Sequence, residues 1–109
     1  MVKTVEKPWG KEEWFADNEH YIGKLITIKN GHRLSKQYHR KKHETIYVLS
    51  GVLMMVTNDV HLISPGESVS IKPRSIHRFS APSGDVVLIE VSTPHGKDVV
   101  RLDDDYGRK

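Results

Sequence analysis

The run ETIYVLSGVLMMVTNDVHLIS, Glu44 to Ser64, decides the fold class. Its apolar residues follow a period of two rather than 3.6, so Glu44, Ile46 and Val48 share one face of an extended chain. Ser50-Gly51 and Asn58-Asp59 interrupt the run between apolar segments, and both pairs accept the backbone conformations of tight hairpin turns. The middle of the chain therefore reads as a meander.

The same period extends outward in YIGKLITI, SVSIK, HRFSA and DVVLIEVS, with Asn30-Gly31, Pro65-Gly66 and Ser83-Gly84 as punctuation. No stretch offers a long amphipathic helix. Many short strands at close spacing predict an all-β chain, a small antiparallel β-barrel or sandwich. At 109 residues the chain holds one core and not two, so residues 1–109 read as a single domain without a linker.

Composition narrows the chemistry. With 37% hydrophobic and 28% charged residues, the chain is ordinary for a globular protein. It has no cysteine, which excludes disulfides and thiolate ligands and leaves His, carboxylate, amide or water for any metal. A formal charge of +3 without a concentrated basic face argues against a nucleic-acid partner. No apolar run approaches the ~20 residues of a membrane span, and MVKTVEKPWG lacks an apolar signal region, so a soluble, cytoplasmic protein is expected. Arg33, Lys36, Arg40, Lys41, Lys42, Arg74 and Arg78 cluster around one region and would suit a phosphate.

That region is QYHRKKHE, Gln37 to Glu44. Strand alternation points Gln37 and His39 the same way, and a hairpin-like return through residues 40–43 brings Glu44 opposite His39. His77 shares a face with Phe79, and a polar ring on an apolar face is either hydrogen-bonded or metallated. His43 is a rival ligand by proximity, at an offset that points it away. His20, His32, His61 and His95 stand in no such constellation.

The joint spacing favours a metal. Gly31, Gln37, His39, Glu44 and Gly51 resemble the first signature of the cupin superfamily, with Gln in place of its first His, and Gly66 to His77 reproduces the spacing of the second. The resemblance implies a double-stranded β-helix, or jelly roll. It also implies that Gln37, His39, Glu44 and His77 hold one divalent ion, for which Zn, Mn, Fe, Co and Ni all suit the donor set. Lys72 and Arg74 stand where the second signature has Pro and Gly, and Ala81 where it has Asn.

KPWG, RLSKQYH, ESVSIKPRSIHR, LIEV and VVRLDDDYGR narrow the resemblance to the isomerase domain of type II phosphomannose isomerases. In that family the domain follows a guanylyltransferase domain, so no GDP-mannose synthesis is expected here. Near the metal the family reads Gln-Met-His-His-His-Arg-Ala-Glu-His-Trp; Arg40 and Lys41 replace two His, and Lys42 stands at the Arg.

The resemblance implies a metal-dependent mannose-6-phosphate isomerase, an enzyme of carbohydrate metabolism that takes mannose 6-phosphate to fructose 6-phosphate or turns over a related sugar phosphate. A divalent ion that polarises both sugar oxygens would stabilise the enediolate. Glu90, inside the apolar strand VLIEV, is a candidate base because burial raises a carboxyl's pKa, or else a structural partner for an Arg. Lys42 can hold a phosphate as a point charge. Arg108, near the end of the tail LDDDYGRK, either folds back over the barrel mouth or stays solvated. The alternatives are a non-catalytic cupin module that binds a sugar or small anion, and an iron dioxygenase. Sheet edges and apolar outer faces lead to the expectation of a homodimer.

Overall fold

The computed structural model describes residues 2–108. Eleven strands occupy them: β1 (Lys3–Lys7), β2 (Gly10–Asp17), β3 (Ile22–Ile28), β4 (Lys36–Tyr38), β5 (Glu44–Ser50), β6 (Leu53–Val56), β7 (Val60–Ile63), β8 (Ser68–Ile71), β9 (Arg78–Ser80), β10 (Val86–Ser92) and β11 (Val100–Asp103). The expected all-β architecture is present, and every strand pair is antiparallel. No helix among the described residues is long and apolar enough to cross a membrane.

A six-stranded sheet in the order β1-β2-β3-β10-β5-β8 forms one wall; β7-β6-β9 and β11-β4 form the other. Of the expected meander only the second hairpin forms: Asn58-Asp59 joins β6 to β7 as an antiparallel pair, whereas Ser50-Gly51 carries the chain from one sheet to the other, β5 pairing with β10 and β8 instead of β6. Gly51 turns β5 into β6 at φ 77°, and a Cβ there would lie 2.2 Å from the Asp85 carbonyl oxygen, so the tight turn admits only glycine. Beyond the expected strands, which include the short β4 at Gln37, the structure adds β1, β2 and β11. These are polar or very short, and they hold their places by pairing with neighbours rather than by an apolar pattern.

Parity along three central strands divides the interior into two ends. On β3, Ile22, Lys24, Ile26 and Ile28 are buried; on β10, Val86, Leu88, Glu90 and Ser92; on β5, Glu44, Ile46 and Val48. Register aligns like with like, setting Leu88 opposite Ile26 and Val48, and Glu90 opposite Lys24. One end is thus an apolar plug of Ile28, Val48, Leu53, Ala81, Val86 and Leu88, each fully buried. The other carries buried charge, and a cavity of about 290 Å³ opens there.

Candidate metal centre

Three side chains converge in that cavity. His39 follows β4, Glu44 begins β5 and His77 precedes β9, and one ligand atom from each lies within 4.8 Å of the other two. Glu44 Oε1 stands 3.6 Å from His39 Nε2 and 3.5 Å from His77 Nε2. Backbone pairing builds the arrangement, because Gln37 and His77 exchange two N–H to carbonyl bonds of 2.9 Å and so tie β4 to the approach of β9.

The imidazoles are oriented as ligands would be. His39 Nδ1 lies 2.6 Å from the Asp98 carbonyl and His77 Nδ1 lies 2.9 Å from that of Ser75. A carbonyl only accepts, so each Nδ1 carries the proton and each Nε2 presents a lone pair to the cavity. His39 Nε2 is buried without a hydrogen-bond partner, a costly state unless something electropositive meets it. Two imidazole lone pairs and a carboxylate oxygen, all nearly water-free, fit a divalent transition ion. Burial opposes ionisation of Glu44; with the imidazole protons on Nδ1, the Lys42 ammonium at 3.0 Å is what favours the ionised carboxylate against it.

Gln37 lines the same cavity, with its NH2 group donating to Ser35 Oγ at 2.9 Å. His43 is exposed on the strand's other side, with its backbone N–H on Thr93 Oγ1. Where the second cupin signature has Gly, Arg74 adopts φ 68°, and its N–H is bonded to the His39 carbonyl. The turn therefore keeps its geometry without glycine.

The candidate catalytic residues fall in three different settings. Lys42 is buried, its ammonium 3.0 Å from Glu44 and 2.9 Å from Glu90, so it faces two carboxylates of the cavity wall. Glu90 is buried beside Lys42 and, at 3.9 Å, Lys24; its partners are lysines rather than an arginine. Burial and the Glu44 charge push its carboxyl up, and the two lysines only partly offset them. Arg108 does fold back to line the cavity mouth, where it grips Asp104 through Nε at 2.9 Å and Nη2 at 3.0 Å.

Of the seven clustered cations, only Lys42 lines the cavity. Arg33 and Arg78 are drawn to Asp103 and Asp105 of the C-terminal segment, while Lys36, Arg40, Lys41 and Arg74 are exposed. A different set surrounds the mouth, namely Lys3, Lys7, Lys97, Arg101 and Arg108. Burial lowers the Lys7 pKa, and Arg108, Arg101 and Lys24 lower it further against the opposing pull of Glu12. Sequence reasoning singles out Arg108 but misses Lys3, Lys7, Lys97 and Arg101, because they meet only through the sheet. It also misses Lys24, which carries the same signal as Glu90: a charge at the buried parity of an apolar strand.

The sequence matches the family described as mannose-6-phosphate isomerase C-terminal over residues 1–104. The chain belongs to this family. Among curated relatives, it is 34% identical to the mannose-1-phosphate guanylyltransferase ManC of Salmonella typhimurium, over 99% of this chain and 24% of that protein. It is 33% identical to the alginate biosynthesis protein AlgA of Pseudomonas aeruginosa, over 95% of this chain and 23% of AlgA. The chain thus spans about a quarter of the length of these relatives. Solved structures share its fold: KdgF from Halomonas sp. at TM-score 0.76 and 17% identity, covering 86% of each chain, and CapF from Staphylococcus aureus at 0.77 and 20%, covering 94% of this chain and 34% of CapF.

The family match bears out the expected resemblance to the isomerase-type domain, the solved structures bear out the expected fold, and the curated relatives correct the expected activity. The proteins this family member matches carry the names of guanylyltransferases and of alginate and xanthan biosynthesis proteins. The isomerisation of mannose 6-phosphate to fructose 6-phosphate, inferred from motif resemblance, is therefore withdrawn. The relatives named guanylyltransferases are enzymes by name, with this domain as about a quarter of their length.

Proposed function

We propose that the chain is a metal-holding cupin domain that binds a phosphorylated sugar in its cavity as a ligand. The carrying observation is the convergence of His39, Glu44 and His77 at the floor of a cavity ringed by cations. His39, Glu44 and His77 would hold one divalent ion. Gln37 would complete the set, since its NH2 group is committed to Ser35 and its oxygen is the ligand-type atom. Bound there, the ion supplies a positive charge for a sugar oxygen.

The chain's own residues do the rest. Lys7, Arg101 and Arg108 offer positive charge at the mouth for a phosphate, and Trp9, Trp14 and Ile26 give the apolar wall that a sugar face packs on. The names of the relatives, which include mannose 1-phosphate, make a mannose phosphate the first ligand to try. Exposed Tyr47, Leu49 and Val91 on the outer sheet face support the homodimer, which light scattering on the purified chain would refute by giving a monomer mass.

Calorimetry tests the reading. Chain loaded with Mn2+ or Zn2+ is titrated with mannose 1-phosphate, mannose 6-phosphate, mannose and inorganic phosphate. The expected result is binding of at least one sugar phosphate more tightly than either mannose or phosphate, and loss of that binding with a chelator. Equal, weak heats for all four would overturn it.

A further inference from the structure

A file of buried charges runs from the candidate ligands across the barrel. Lys42 Nζ lies 3.0 Å from Glu44 Oε2 and 2.9 Å from Glu90 Oε2. Lys24 Nζ lies 3.9 Å from that Glu90 oxygen and 3.6 Å from Glu12 Oε1, which accepts the Trp14 indole N–H at 3.0 Å. The signs alternate throughout. Lys42 and Glu90 are 5% and 4% exposed, so each is costly to bury without the other.

The file divides the Glu44 carboxylate. Its Oε1 faces both imidazoles, whereas its Oε2 faces the ammonium. Carboxylates take metal ions through one oxygen or through both, and a buried ammonium against the second oxygen keeps it from turning toward the ion. Lys42 is itself anchored at its backbone, where its N–H donates to Asp98 Oδ2 at 2.9 Å. At 3.0 and 2.9 Å from Glu44 Oε2 and Glu90 Oε2, the ammonium is held between two opposite charges.

We propose that Lys42 is a positioning residue that keeps Glu44 a one-oxygen metal ligand, and that Glu90 serves as the counter-charge holding Lys42 in place. The inference rests on the metal reading above. A purely structural role, in which Lys42 only neutralises two buried acids, makes a different prediction.

The double substitution Lys42→Met, Glu90→Leu separates the two. It exchanges a buried ion pair for apolar residues of similar size, a change that stability often tolerates. It also leaves the net charge unaltered, and Lys24 keeps Glu12. The readout is the visible absorption of bound Co2+, whose intensity per ion falls as coordination number rises.

With the wild-type chain and the double variant each loaded with Co2+, the variant is expected to absorb more weakly per ion, because the freed oxygen joins the metal. Lys42→Arg, whose fork of N–H donors can span both carboxylates, is expected to keep the wild-type spectrum. A folded double variant with an unchanged spectrum would overturn the positioning role while leaving the metal reading intact. No Co2+ uptake by the wild-type chain would overturn both.

Discussion

At His39, one ring nitrogen is held by the Asp98 carbonyl at 2.6 Å and the other points at Glu44. The Asp98 side chain meanwhile accepts the backbone N–H groups of Arg40, Lys41 and Lys42 at 3.0, 2.7 and 2.9 Å. One residue therefore orients a candidate ligand through its main chain and orders the following loop through its carboxylate. Asp98→Ala should destabilise the chain by about 1–2 kcal/mol in urea denaturation, since three donors lose an acceptor, while the bond to the His39 ring survives because it involves the backbone. At the ligands themselves, His39→Ala combined with His77→Ala should reduce the metal content of freshly purified protein to background by elemental analysis. Equal metal in wild type and variant would remove the constellation.

At the scale of elements, the turn before His77 carries the clearest conflict between local preference and tertiary demand. Arg74 sits at φ 68°, a left-handed conformation that costs a side-chain-bearing residue about 1–2 kcal/mol. The 39–74 backbone bond and the pairing of Gln37 with His77 hold it there. Arg74→Gly should relieve that cost and stabilise by about 0.5–1 kcal/mol, the gain being reduced by glycine's freedom in the unfolded chain. Chemical denaturation of the two proteins checks it, with Arg74→Ala expected to give no gain. The strands themselves show how alternation places chemistry: on β10 the parity that buries Leu88 also buries Glu90.

For the whole molecule, acid is the expected weakness. Burial raises the Asp98 carboxyl, but the N–H groups of residues 40–42 bring it down to about 2; Arg108 brings Asp104 to about 2 as well. A carboxyl lowered in the folded state contributes stability that is complete above its ordinary pKa of 3.8 and is lost as pH falls toward 2. Glu90, raised by burial and the Glu44 charge, acts in the opposite sense, but its effect falls at pH above its ordinary value of 4.5 and so outside this window. Denaturation midpoints should fall between pH 4 and pH 2, and Asp98→Asn should flatten that fall; a pH-independent midpoint would refute the assignment. The sequence alone determined the all-β class, the β6-β7 hairpin and the spacing of His39, Glu44 and His77, because strand parity and turn chemistry are local properties. It also placed Glu90 inside, by the same parity. That β5 and β6 part into different sheets was decided by tertiary pairing. Tertiary structure decided which charges meet. Arg33 and Arg78 turn to the acidic C-terminal segment, Lys42 turns inward between two glutamates, and Lys7, Arg101 and Arg108 gather at the mouth, because only the closing of the sheets brings β1, β11 and the C-terminal segment to one end of the barrel.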